Sequence, residues 1–202
     1  MARQSTHLDT KLIQVGLRLI AQEGTKSLTV RRICQVAKAN LGMFSYFFKD
    51  KETYLKQVFT ALREEFFAFL DMAAVQHQNA REQLIYFQHK AVAFAYEHTN
   101  LMRALLFDFT MDETLHESYM SKGIIVPLDL PFELIKQAQE QGYLTQKRTM
   151  VEIAEHLFFG GIMPVLFSRC ISVMSRNPVM PHELDYYINN MTNLIDEVEN
   201  KQ

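Results

Sequence analysis

Residues 28–55 read LTVRRICQVAKANLGMFSYFFKDKETYL, and this stretch decides the fold. Thr29 followed by Val30, Ile33, Cys34 and Ala37 predicts a capped helix with an apolar inner face. The turn Lys38-Ala39-Asn40 interrupts it. Asn40 then caps a short helix over 41–48, whose Phe44 and Phe48 lie one turn apart and face inward. Asp50 opens a longer helix in which Leu55, Val58, Phe59, Leu62, Phe66 and Phe69 keep one apolar stripe. Two short helices locked at a steep angle across a tight turn have the dimensions of a DNA-reading helix-turn-helix.

The residues left outside that lock define the expected DNA-binding set. Asn40, Leu41, Met43, Ser45, Tyr46 and Phe47 face the major groove or its phosphate walls, and Gly42 permits close approach to the duplex. Leu41 and Met43 have no side-chain hydrogen bonds to offer and suit thymine methyl groups. Lys51 opens the long helix, where its ammonium and the free amides hold a phosphate. Thr29 caps its helix and adds a phosphate contact. Arg31 completes the set on the resemblance described next.

The stretch Leu28–Leu55 resembles the DNA-binding region of the TetR family of regulators. That family typically shows a Thr-led second helix, an Ala-Gly-Val-Ser-like turn, a Gly-x-Leu-Tyr-x-His-Phe reading helix and a Lys-Glu pair opening helix 4. The match covers about a quarter of the chain, and the length and helical remainder fit as well. Four positions depart from the pattern. Lys38 stands where the turn glycine is usual, Asn40 replaces Ser, Ser45 replaces Tyr and Phe47 replaces His. The last two changes weaken phosphate anchoring, because Ser45 has the shorter reach and Phe47 has no donor.

Outward from this motif the chain reads as all-α. Thr6 and Asp9 resemble a capping box, Leu8, Leu12, Val15 and Leu19 form one helical stripe, and Gly24 ends that helix. Beyond Gln78-Asn79, helices are expected near 81–98 and 100–108. Pro127 and Pro131 break the segment 110–141, a helix over 132–141 ends at Gly142, and another over 146–174 bends at Pro164. A final helix covers 182–199. The expected organisation is a three-helix helix-turn-helix domain over 1–50, joined by a long helix to a helical effector-binding and dimerisation domain over 51–202.

Composition agrees. Apolar residues make up 48% and charged residues 22%, which is the balance of a folded globular domain. The net charge of −2 hides a basic head, since residues 1–60 carry ten Lys/Arg against four Asp/Glu. A basic head on an acidic body suits a polyanion partner for the head alone. The longest run without an ionisable residue, Leu157 to Ser168, falls short of the roughly 20 residues of a membrane span. The N-terminus has no signal-peptide pattern, so a cytoplasmic protein is expected. Cys34 and Cys170 stand far apart in apolar helical patterns and read as inert buried thiols.

In the TetR-like architecture the last two long helices of each subunit build a four-helix dimer interface. Ile153, Leu157, Leu184, Tyr187, Ile188, Met191 and Ile195 carry suitable spacing for it, and Gly160 and Gly161 permit close helix approach. The Phe- and Met-rich body also suits a small apolar or aromatic effector. Phe66, Phe94, Met102, Phe107, Met111, Phe158, Phe159 and Met163 are the candidate lining. The resemblance implies a repressor that binds a palindromic operator as a dimer and releases it on binding effector. No cofactor or metal is expected. The competing classes are a bundle enzyme and a helical adaptor. Di-iron bundles need two Glu-x-x-His motifs, and the chain has one, Glu113-Thr114-Leu115-His116. Glu152 and His156 read as a surface pair or an interior contact.

Overall fold

A computed structural model of the chain describes residues 5–111, 113, 129–175 and 183–199. Among the described residues the structure is helical, with one isolated antiparallel bridge between Leu144 and Glu199. The helices are α1 (Ser5–Glu23), α2 (Val30–Ala37), α3 (Leu41–Phe48), α4 (Lys51–Leu70), α5 (Ala80–Glu97), α6 (Thr99–Met111) and α7 (Asp129–Glu140). They continue with α8 (Met150–Leu157), α9 (Met163–Ser175) and α10 (Leu184–Glu197). Two compact units result. The first holds Met1–Phe66 and Asn100–Pro127, the second Phe67–Thr99 and Leu128–Gln202. Pro127, Thr114–His116 and the start of the expected final helix at 182 lie outside the described residues, as does the side chain of Cys170.

The first unit is built on a close crossing of α1 and α4. Gly16 leaves room on α1 for Tyr54 of α4, whose fully buried hydroxyl donates to the Leu12 carbonyl at 2.7 Å. Burial pushes the Tyr54 phenol well above its ordinary range. Leu12, Val15, Leu19 and Ile20 of α1 and Val58 and Phe59 of α4 fill the same core. Thr6, read as a cap, lies inside α1, and the Asp9 carboxylate accepts from the Thr10 amide.

The second unit is organised around α5. Ala91 to Ala95 are all buried, because α5 packs against α7, α9 and α10 at once. α5 and α10 run antiparallel, with successive rungs along their length. Arg81 binds Asp196 and Glu199, His89 bonds Thr192 at 2.9 Å, and the rings of Tyr96 and Tyr187 are 6.1 Å apart. α7 begins at Asp129, earlier than the expected Phe132. Pro131 falls in its first turn, where the missing amide has no helical partner to lose.

The expected helix over 146–174 departs from the reading twice. It starts at Met150, behind a capping box in which Thr149 and Glu152 satisfy each other. The irregularity then lies before Pro164, as a π-turn over Phe158–Ile162. Pro164 has no amide to give the Gly160 carbonyl four residues back. Asn190 of α10 supplies the donor instead, at 2.9 Å. An added Cβ at Gly160 would stand 2.9 Å from Leu194 Cδ2, and one at Gly161 2.9 Å from Met191 Cε. The two glycines therefore bring α10 close within the subunit.

That close approach sets how far the expected interface residues are covered within one chain. Ile153, Leu157, Met191 and Ile195 have no exposed surface and Tyr187 has 1%, while Leu184 and Ile188 are half-buried. Glu152 and His156 do not pair with each other. Glu152 closes its capping box, which holds its carboxyl below the usual range, and His156 faces Glu197 at 3.2 Å. Read as a helix, Met150–Ser168 is long and apolar enough by composition to match a membrane span, although it includes Glu152, Glu155 and His156.

Candidate nucleic-acid interface

α2 and α3 form where two short apolar segments carry their own caps. The Thr29 hydroxyl accepts from the Arg32 amide at 3.1 Å, and the Asn40 side chain accepts from the Met43 amide at 2.8 Å. Each cap satisfies one of the amides that a helix start leaves free. Lys38 ends α2 in the left-handed region, at φ 56° and ψ 43°, where glycine is relaxed and lysine is not. The Cys34 thiol, buried and pushed up in pKa by that burial, donates to the Asn40 carbonyl at 3.8 Å. It braces the turn and is held in its unreactive form.

An aromatic trio fixes α3 on its support. Phe44 and Phe48 are each 1% exposed, and their ring centroids stand 5.2 Å and 4.9 Å from that of Tyr54. Each buried ring contributes about 1.5–3 kcal/mol, which holds a helix of two turns that would not persist alone. The opposite face is thereby committed to the outside. Tyr46 is 81% exposed and Leu41 57%. Asn40, Gly42, Met43 and Ser45 are exposed as well, and Phe47 is half-buried against Tyr46 and Phe48. Phe47 therefore closes the edge of the trio with one side of its ring.

The flanking charges separate by role. Arg31 and Lys51 are exposed. Arg32 instead donates to Glu23 at 2.6 Å, which raises its pKa further and ties α2 to α1. Asp50 accepts from the Thr53 amide at 2.7 Å, caps α4 and is held below the usual carboxylate range by that bond. Thr29, Arg31, the exposed residues of α3 and Lys51 all belong to one unit. The set combines exposed short apolar and hydroxyl-bearing side chains with two exposed cations, groups able to meet base edges and phosphates.

No protein-family model matches the chain. A probable HTH-type transcriptional regulator, YttP of Bacillus subtilis (strain 168), is 27% identical over 138 residues, covering 67% of each chain. A putative TetR-family transcriptional regulator from Rhodococcus sp. superposes with a TM-score of 0.72 at 16% identity, covering 95% of this chain and 98% of that one. The fold is that of the TetR-family transcriptional regulators. A putative TetR-family regulator from Shewanella sp. PV-4 agrees, with a TM-score of 0.71 at 15% identity over 96% and 99% of the two chains. The Bacillus relative and these two TetR-type neighbours are named as regulators. Among the described residues no three His, Cys, Asp or Glu side chains gather as metal ligands.

The expected effector-lining residues fall in both units of the TetR-type fold. In the first unit Phe66 and Met102 are half-buried, whereas Phe107 and Met111 are 44% and 76% exposed. In the second, Phe94 is buried between Phe69 and His98, at centroid distances of 5.6 and 4.3 Å. Met163 there is half-buried, and the rings of Phe158 and Phe159 meet edge to face at 5.5 Å on the surface. Sequence reading missed two contacts that shape the head: Tyr54 with Leu12, and the Asp108 carboxylate with the Thr25 amide at 2.6 Å. Neither carries a local signal, since the partners are 42 and 83 residues apart.

Proposed function

We propose that this chain is a cytoplasmic, ligand-responsive repressor that binds a palindromic operator as a homodimer and releases it when a small apolar or aromatic effector binds. The observation that carries the reading is the outward face of α3. Leu41, Met43, Ser45 and Tyr46 are exposed on a helix whose other face is locked by Phe44 and Phe48. Residues 1–50 serve as the DNA-binding domain and 51–202 as the effector-binding and dimerisation domain. Thr29, Arg31, Tyr46 and Lys51 anchor phosphates, while Asn40, Leu41, Gly42 and Met43 approach base edges.

Dimerisation is supported by apolar surface that one subunit leaves open. Val151 is 54% exposed, Phe159 60%, Phe158 38% and Tyr186 46%, on α8, the π-turn and α10. A patch of this kind beside a buried supporting layer suits a second copy of the same helices. A palindromic operator then follows from two-fold pairing of reading helices. An effector that prefers one body geometry would shift the reading helices away from successive grooves.

The test is selection of bound sequences from random duplex DNA, repeated with Lys51→Ala and Tyr46→Ala at two salt concentrations. Enrichment of a palindrome, weakened by both substitutions, supports the proposal. Each lost phosphate contact should lower the salt slope by about one. Binding without enrichment that vanishes at moderate salt would instead mark a general polyanion-binding head and refute the operator reading.

A further inference from the structure

The elbow between α1 and α2 carries a cap that its own residues do not supply. Gly24 ends α1 at φ 79°, with its amide on the Ile20 carbonyl at 2.9 Å, and the 3-10 turn Thr25–Ser27 follows. A glycine has no side chain to cap that turn, and no local side chain does so. Asp108 of α6 fills the place, its Oδ2 accepting from the Thr25 amide at 2.6 Å. A short bond from an amide to a carboxylate belongs to the strong class of hydrogen bonds. The space at Gly24 is shaped by the same group, because an added Cβ would stand 3.3 Å from Asp108 Oδ2.

The elbow is a short lever. Ser27 Oγ donates to the Gly24 carbonyl at 2.7 Å, the Thr29 amide bonds Ser27, and Thr29 then caps α2. The direction in which α2 leaves α1, and with it the placement of α3, is therefore set within six residues. Glu23 and Arg32 clamp the elbow on one side, and Asp108 clamps its amide from a helix 83 residues further along the chain. α6 follows α5, so the chain passes through the second unit before it returns to grip the head.

We infer that Asp108 is a positioning residue for DNA recognition: its carboxylate caps the Thr25–Ser27 turn from α6 and fixes the angle at which α2 and α3 meet the duplex. The inference rests on the DNA-binding reading above. The experiment uses the full-length chain and the duplex selected by the wild-type protein. Asp108→Leu keeps the branched shape and removes the acceptor, and Asp108→Asn keeps an acceptor oxygen without the charge. Asp108→Leu should weaken binding to the selected duplex by about tenfold or more and speed exchange of the Thr25 amide proton by a similar factor. Asp108→Asn should restore both to within about threefold of wild type.

Unchanged duplex affinity in Asp108→Leu, or an Asn variant as weak as the Leu one, overturns the inference. If Asp108→Leu does not fold, Asp108→Glu, which displaces the acceptor by a methylene, carries the same expectation and the same refutation. A wild-type protein that selects no sequence refutes the operator reading itself. A selected duplex that Asp108→Leu binds normally refutes the role of Asp108 alone.

Discussion

Gly16→Ala sets two effects of opposite sign against each other. Gly16 lies inside α1, and replacing an interior helical glycine by alanine ordinarily stabilises by about 1 kcal/mol. Here the new Cβ would overlap the Tyr54 hydroxyl and stand 2.9 Å from Val58 Cγ2 and 3.1 Å from Tyr54 Cζ. Tyr54 cannot step aside. It is fully buried, packed against Phe44 and Phe48, and bonded to Leu12 at 2.7 Å. Overpacking of a tight core costs about 1–3 kcal/mol. Moving the hydroxyl off its acceptor leaves a buried donor without a partner, at about 1–3 kcal/mol more. The steric and polar costs outweigh the propensity gain, for a net loss of about 1–5 kcal/mol.

The assay is reversible chemical denaturation alongside a thermal scan. At roughly 2–4 °C per kcal/mol for a chain of this size, a mid-range loss lowers Tm by about 6–12 °C. The double variant Gly16→Ala/Tyr54→Phe isolates the cause. Removing the hydroxyl clears the overlap, so the double variant should be less destabilised than the sum of the single ones. A Gly16→Ala protein as stable as wild type, or more stable, would refute the claim that the α1–α4 crossing depends on this contact. Because the same tyrosine supports Phe44 and Phe48, the variant should also weaken duplex binding at temperatures where it remains folded.

Three further outcomes follow from local geometry. Lys38→Gly relieves a left-handed residue that costs about 1–2 kcal/mol, against about 0.5–1 kcal/mol of glycine entropy, so denaturation should show a stabilisation of about 0.5–1 kcal/mol; a loss of stability refutes the strain. Asn190→Leu strands the Gly160 carbonyl that Pro164 cannot satisfy and should cost about 1–3 kcal/mol in the same assay; no change would show that the carbonyl has another partner. Burial holds His89 below its ordinary 6.5, so the unfolded chain takes up a proton where the folded chain does not. The stability this group preserves is complete above about pH 6.5 and is lost as pH falls toward the lowered folded value. His89→Gln should flatten that part of a pH–stability curve, and coincident curves for the two proteins would refute the assignment.

The parts of this fold that were legible in the sequence are those whose physics is local. Thr29, Asn40 and Asp50 cap helices at distances of three residues, and each cap sits where the side-chain type and the apolar period place it. Phe44 and Phe48 face inward because one helical turn separates them. Long-range partners had no such signature. Nothing near Asp108 in sequence marks it as the cap of Thr25, and nothing near Gly16 announces Tyr54. Arg31 and Arg32 are adjacent and chemically identical, yet Glu23 captures Arg32 and leaves Arg31 exposed. Which of two neighbouring arginines remains exposed is settled by the packing of α1 on α2, not by residue type.

For the expected interface residues the information missing from the sequence is of the same kind. Periodicity identifies an apolar helix face but cannot say what covers it. Over Met150–Ser168 the apolar residues surround the helix, so two faces compete for one core. Ile153 and Leu157 turn inward with no exposed surface, while Val151, Phe158 and Phe159 turn out. Glycine decides between them. Gly160 and Gly161 admit Leu194 and Met191 at a distance no larger residue would allow, which draws α10 onto that side and uses up its inner stripe. The other apolar side, with Val151, Phe158 and Phe159, stays exposed, and the proposed homodimer would cover it.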